Sequence, residues 1–289
     1  MTGPVAALLD GGLRLHLQHG PIDLIIGADP APGGSRQQAF EAAADRFGTI
    51  LDELVAELPL LRCAVGPSSP RPAGAIAQRM DAAVRRLPTC FVTPMAAVAG
   101  AVADAVLAAM LAAVPLGRAY VNNGGDIALH LAPGQVFTLA MAGLDQGELG
   151  RIAVASADRI GGIATSGQGG RSLSLGIAGS VTVLAADAAT ADAAATLVAN
   201  AVDLPDHPGI RRIPARVRQP DSDLGDRPVV THVGPLTSGE IHAALRAGAV
   251  LAEDYRAAGL IAGAALSLRG TTLVVGSAGQ IEIRKVEHA

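Results

Sequence analysis

The chain has 289 residues, half of them hydrophobic, with 2% aromatic residues, no Trp and a formal net charge of −4. A core of Ala, Val, Leu and Gly offers few rings for stacking bases, and an acidic chain is a poor match for a phosphate backbone, so the usual nucleic-acid binders are excluded. Cys63 and Cys90 have no CxxC or Cys/His spacing, which argues against structural zinc or a disulfide framework and for a reducing, cytoplasmic compartment.

The opening MTGPVAALLDGG lacks the basic start and apolar core of a secretory signal. Leu13, Leu15 and Leu17 alternate with Arg14, His16 and Gln18, the period of a half-buried strand. Gly20-Pro21 turns the chain into a second strand, Ile22 to Ile26. Ser35 can cap a helix that carries Phe40, Ala43, Phe47, Leu51, Leu54 and Leu58 at helical spacing and stops at Pro59. A Pro-rich loop, Gly66 to Pro72, leads to a helix marked by Ile76, Met80 and Val84. Phe91 to Met95 reads as a short extended run.

Ala96 to Val114 is almost wholly apolar, with Asp104 its single charge. Alanine is only weakly driven into lipid and the segment lacks flanking anchors, so a buried helix is expected rather than a membrane span. Gly100 and Asp104, four apart, share a face of it. Glycine there costs about 1 kcal/mol against alanine and implies a close approach. An acid in so apolar a helix must be paired or reach solvent.

Tyr120 to Asn123 enters Gly124-Gly125, and Asp126 to Leu131 runs back; a hairpin and a polar binding loop formed by Asn122, Asn123 and Asp126 fit this pattern equally well. Strands follow at Val136 to Met141 and Arg151 to Ser156. Thr165 to Gly170 is a hydroxyl- and glycine-rich loop with many free backbone N–H groups, Ser180 to Leu184 a strand, and Asp187 to Ala201 an alanine-rich helix. Asp192 and Thr196 share a face of that helix. Carboxylate, hydroxyl and loop could hold a metal ion and a phosphate, although from spacing alone a solvated first-turn acid fits Asp192 better. Arg212 to Arg218 suggests a strand interrupted by Pro214. The arginines at 211, 212, 216 and 218 lie among acids, as on a solvated mixed-charge face. Thr237 and Glu240 form a capping box for a helix to about Ala258. Leu260 to Leu268, Thr272 to Val275 and Gln280 to Arg284 close the chain as strands. Hairpins mixed with helices indicate an α+β fold, and the lack of repeat or linker a single domain over 1–289. No phosphate-loop, dinucleotide or nucleophile-elbow motif is present.

Four segments, in order, resemble the ApbE superfamily of flavin transferases. They are Gly100 with Asp104, Asn123-Gly124-Gly125-Asp126-Ile127, Ala164-Thr165-Ser166-Gly167, and Ala191-Asp192-Ala193 with Thr196. The rest of the chain is similar to a smaller branch, uncharacterised protein family 0280. That likeness is carried by Gly20 to Leu24, Thr93 to Asp104, Ala199 to Asp203 and Asp221 to Gly225. The resemblance implies a single ApbE-like domain of mixed, mainly antiparallel sheet with packed alanine-rich helices.

It also implies Mg2+ held by Asp192, Thr196 and the Val98 carbonyl. FAD or another flavin nucleotide would lie against Gly100, Asn122, Asn123, Gly124, Gly125, Asp126, Thr165, Ser166 and Gly167, with Asp192, Asp126 and Ser166 as the catalytic set. The transferases carry a histidine and an aspartate-proline-threonine-glycine run after the TSG loop; here Gln168 to Gly179 has neither histidine nor proline. His130, His232 and Arg171 are candidate substitutes. The expected partner is a small anionic ligand, with neither nucleic acid nor membrane and with a homodimer as the assembly. The alternatives are a hydrolase, a non-catalytic binding module, or an accessory protein of sulfur assimilation in homocysteine synthesis using Cys63 or Cys90 as a persulfide carrier.

Overall fold

The alternation of Leu15 and Leu17 with polar neighbours does form a strand, and its return at Ile22 pairs with it antiparallel, Leu15 opposite Ile26 and Leu17 opposite Leu24. The computed structural model describes residues 3–89, 91–142, 148–170, 172–276 and 281–283. Its elements in chain order are β1 (Val5–Leu9), β2 (Arg14–His19), β3 (Ile22–Pro30), α1 (Arg36–Ala56), α2 (Leu58–Leu61), α3 (Ala75–Arg85), α4 (Val98–Ala113), β4 (Leu116–Asn123), β5 (Asp126–Leu131), β6 (Val136–Ala142) and β7 (Glu148–Ala155). There follow β8 (Gly162–Ser166), β9 (Ser180–Ala185), α5 (Ala188–Ala201), β10 (Ile210–Pro214), α6 (Ala215–Arg218), β11 (Pro228–Val233), α7 (Ser238–Ala257), β12 (Gly263–Leu268), β13 (Thr271–Gly276) and β14 (Ile281–Ile283). The class is α+β, with mixed helices and a mainly antiparallel sheet.

The described residues fall into two compact units. The first takes residues up to 135 with 155–164 and 184–193. Its strands run β1-β2-β3-β4-β5-β8, each pair antiparallel. One sheet face buries Leu15, Leu17, Leu24, Ile26, Ala119 and Val121. Helix α1 covers β2 and β3 with the stripe Phe40, Ala43, Phe47, Ile50, Leu51 and Leu54; Ser35 caps it, its side chain accepting from the Gln38 N–H. Helix α4 lies against α1, β4 and β5 and buries Ala101, Val102, Ala103, Val106, Leu107 and Met110. The segment Pro94–Ala113 is long and apolar enough to cross a membrane, yet here it is a core helix, as its alanine content suggested.

The second unit takes 136–154, 165–183 and the described residues from 194. It contains β9-β12-β13, the antiparallel pair β10-β11 and the set β14-β7-β6. Helix α7 packs on β12 and β13 through Ala244, Leu245, Ala252 and Tyr255. Its capping box is formed as the sequence predicts, Thr237 accepting from the Glu240 N–H and Glu240 from the Thr237 N–H.

Three local expectations are corrected. Strand β1 is unforeseen, because Val5-Ala6-Ala7-Leu8-Leu9 has no apolar–polar alternation to reveal it. The extended run that starts at Phe91 stops at Thr93, which is still extended, rather than at Met95: Val92 accepts one backbone bond, from Val65, and Pro94 opens a 3₁₀ turn. Beyond Pro214 the chain makes the short helix α6 instead of resuming a strand. Arg212 pairs with Asp203 and Arg216 with Asp226, as the mixed-charge reading expects. Residues 280 and 284 of the last predicted strand lie outside the described residues.

The Pro-rich loop is held by one buried acid. Asp81 is 3% exposed and takes Arg85 through both carboxylate oxygens, with Arg71 at 3.2 Å. Arg85 in turn donates to the carbonyls of Gly66 and Ser69. Removing one partner of a buried pair costs about 3 kcal/mol, since the other charge stays desolvated. Asp81→Asn is therefore expected to lower unfolding free energy by about 3 kcal/mol in urea titrations and to speed amide exchange in 66–72.

Candidate functional site

Alanine makes α5 a stable helix, but its first-turn N–H groups need partners from outside. Three carboxylate contacts supply them. Asp187 Oδ1 accepts from the Thr190 N–H at 2.7 Å, and the two oxygens of Asp104 accept from Ala188 and Ala189 at 3.1 Å each. Asp104 reaches them because α4 comes very close. A Cβ at Gly100 would stand 2.1 Å from the Ala188 carbonyl oxygen, and one at Gly162 would stand 2.2 Å from the Asp187 carbonyl carbon. These are backbone atoms, so no rotamer change would relieve the clash. Asp104 is 9% exposed, with Arg79 Nη1 at 3.6 Å. Burial pushes its pKa up to about 6; the two N–H donors and Arg79 work against that shift and Asp187 adds to it.

One turn further along α5, Asp192 is also buried. Its Oδ2 accepts from the Gly100 N–H at 3.0 Å, and the Ala99 N–H also donates to it. Desolvation raises its pKa well above the ordinary carboxylate range, and the charges that raise it further are two more acids, Asp126 and then Asp104. Asn123, buried at the end of β4, donates Nδ2 to the Ala99 carbonyl at 3.1 Å. Gly100, Asp104, Asn123, Asp126 and Asp192, distant in sequence, thus meet around the start of α4.

Gly124 and Gly125 have φ of 66° and 115°, the left-handed backbone that closes a two-residue turn between Asn123 and its partner Asp126. Asn122 Oδ1 accepts from the Gly125 N–H at 2.8 Å, so this side chain is spent on the turn. The hairpin and the polar cluster are one feature. Val98 is the first residue of α4, beside Ala99 and Gly100, and Thr196 stands half-buried on the turn of α5 after Asp192.

In the second unit, Thr165 is exposed and its hydroxyl lies 2.9 Å from that of Thr182. Ser166 is half-buried at the end of β8. Gly167 has φ of 137°, and a Cβ there would meet the Gly179 carbonyl oxygen at 2.8 Å. The expectation of free backbone donors in this loop is corrected: the N–H groups of Gln168, Gly169 and Gly170 go to the carbonyls of Ala178, Gly179 and Gly167.

Of the candidate substitutes for the missing histidine, His130 lies away from the acids. His130 Nε2 is 3.0 Å from the Leu116 carbonyl, four residues along β5 from Asp126. That is about 13 Å at strand rise. His232 is exposed on β11, and Arg171 lies outside the described residues. Cys63 is exposed, not a buried structural thiol, and Cys90 lies outside the described residues. Sequence reasoning passed over Asp187, Gly161 and Gly162. An acid three residues before Thr190 at the head of an alanine run was the capping signal for the first. Nothing local marked the glycines, whose contacts lie at Ala186 and Asp187.

The family profile described as AbpE bacteria matches residues 6–282. The chain belongs to that family. Among curated relatives, a UPF0280 protein of Methanosphaerula palustris is 35% identical over 155 residues, 53% of this chain and 63% of the relative. One of Methanopyrus kandleri is 39% identical over 109 residues, covering 38% and 43%. The chain spans less than two thirds of the length of the curated relatives it matches. A histidine-to-glycine mutant of the flavin transferase ApbE from Vibrio cholerae has the same fold, with a TM-score of 0.50 at 14% identity, over 92% of this chain and 97% of the other.

Asp104 has a pH signature. Its folded pKa of about 6 lies above the ordinary 3.8, so the folded chain keeps this proton longer than the unfolded one. The stability so gained is full below pH 3.8 and is lost as pH rises through about 6. The gap between the two values corresponds to roughly 3 kcal/mol. Asp104→Asn, which cannot ionise, is expected to remove this slope: chemical denaturation from pH 4 to 7 should show wild type losing stability relative to the variant as pH rises.

Proposed function

We propose that this protein binds a flavin dinucleotide or a related nucleotide together with Mg2+, and acts on it as an ApbE-like transferase or hydrolase. One observation carries the reading. The motif residues Gly100, Asn123, Asp126 and Asp192, up to ninety-two positions apart, are joined at the start of α4. The donor chemistry fits a hard cation: a buried carboxylate oriented by backbone N–H groups, a second acid next to it, and helix-end carbonyls. Asp192, Thr196 and the Val98 carbonyl would hold Mg2+, and Asn122 to Asp126 with Thr165, Ser166 and Gly167 would contact the nucleotide. Bound there, Mg2+ would neutralise phosphate oxygens and polarise the bond to be broken. Gly100 orients Asp192, Asn123 fixes the Ala99 carbonyl, and Asp126 and Ser166 are the groups assigned to proton handling. The same reading places the protein in the cytoplasm as a homodimer.

Calorimetric titration with FAD tests it. Wild type is expected to bind FAD more tightly with Mg2+ than without. Asp192→Asn should lose that metal dependence and bind at least about tenfold more weakly, about 1.4 kcal/mol. FAD binding in no condition would overturn the reading.

The lack of histidine and proline between Gln168 and Gly179 favours a second reading, a binding module without catalysis. Chromatography of FAD incubated with protein and Mg2+ separates the two, since AMP and FMN form only if the protein turns FAD over. The exposed Cys63 thiol favours a third reading, an accessory role in sulfur assimilation. Cys63→Ser should then impair growth on limiting sulfide, and unimpaired growth would remove Cys63 as the carrier.

A further inference from the structure

We propose that β1 is the contact through which two copies of this chain associate, edge to edge and antiparallel about a two-fold axis at Ala7. Among the described residues β1 ends the sheet, pairing only with β2. Its outer edge presents unpaired N–H and C=O groups, a template for another strand. Natural edges are blunted by charge, proline or a bulge, and Val5-Ala6-Ala7-Leu8-Leu9 has none of these within it. Its register with β2 is regular from Val5↔Gln18 to Leu9↔Arg14.

The exposed side chains add to this. Eight large apolar side chains are exposed among the described residues, and three of them lie on or just after β1: Val5 at 57% and Leu8 at 65%, on opposite faces of the strand, and Leu13 at 56%. Ala6 and Leu8 lie opposite Leu17 and Leu15, so they continue the sheet face that is buried further in. Helix α1 covers β2 and β3, and β1 is left exposed. The apolar layer therefore runs on past the helix that should cover it.

The sequence of the strand selects the occupant. Folded onto itself about Ala7, it sets Val5 opposite Leu9, Ala6 opposite Leu8 and Ala7 opposite Ala7. No charges oppose, and each large side chain faces another apolar one. Asp10 of one copy comes opposite Pro4 of the other. Such self-complementarity is what an isologous interface requires, and a partner with a charged or alternating strand would waste it. The strand is short, and its paired edges alone bury less than the roughly 1,000 Å2 of a stable interface. Leu8 and Leu13 must add to it, and the dimer should dissociate on dilution.

Sedimentation velocity over a concentration series tests this in the full chain. Wild type is expected to shift from monomer to dimer as concentration rises. Ala7 is exposed, so Ala7→Lys and Ala7→Asp should fold normally by circular dichroism, and each alone should stay monomeric because like charges meet at the axis. Mixing the two variants should restore the dimer, since Lys then faces Asp. Val250→Lys, which adds a charge at an exposed apolar position on α7, should dimerise like wild type. A wild-type protein that stays monomeric throughout would overturn the proposal, as would a dimer that Ala7→Lys leaves intact. Monomeric variants whose mixture does not associate would overturn the axis at Ala7.

Discussion

Contact between the start of α4 and the first turn of α5 sets the rest of the first unit. It needs a residue without a side chain at 100, because the space a Cβ would take holds the Ala188 carbonyl. One turn on, it needs an acceptor for two α5 N–H groups, which Asp104 supplies. It then carries Asp192 to the Gly100 N–H. The spacing of four between Gly100 and Asp104 and the position of Asp192 in the α5 run are two expressions of one docking geometry. An almost wholly apolar α4 tolerates a single acid because the neighbouring helix end supplies the hydrogen bonds that water would have given.

The electrostatic cost is uneven. Asp104 is compensated by two N–H groups and by Arg79, whereas the strongest charges acting on Asp192 are acids. A fold selected for stability alone would not gather acids so deeply, and clustered, perturbed carboxylates are a frequent mark of a working site. The same helices thus hold a carboxylate partnered by a helix end and one whose charged form its surroundings disfavour.

Much of this was legible in the chain. Period-2 alternation gave β2, the capping residues Ser35 and Thr237 gave the starts of α1 and α7, and the glycine pair after Asn123 gave the hairpin. Gly100 in an alanine helix signalled a close approach, but not what approached; the answer, Ala188, lies far along the chain. Strand β1 was illegible because uniform apolarity carries no period. The Gln168 and Gly169 donors looked free because their acceptors, at Ala178 and Gly179, become neighbours only when the loop folds back. Local pattern reports what a segment wants, and these contacts are decided by what it meets.

The Asp104 carboxylate has one more consequence. The positive end of a helix commonly receives the phosphates of a nucleotide. In this protein that berth, at the head of α5, is already taken by an acid of the chain itself, so an incoming polyanion finds the helix dipole answered before it arrives. On the proposed reading, compensation for a ligand's negative charge would have to come from elsewhere, from a metal ion or from basic groups on the ligand's other side. An anion that brings its own cation would then have the advantage over one that comes bare.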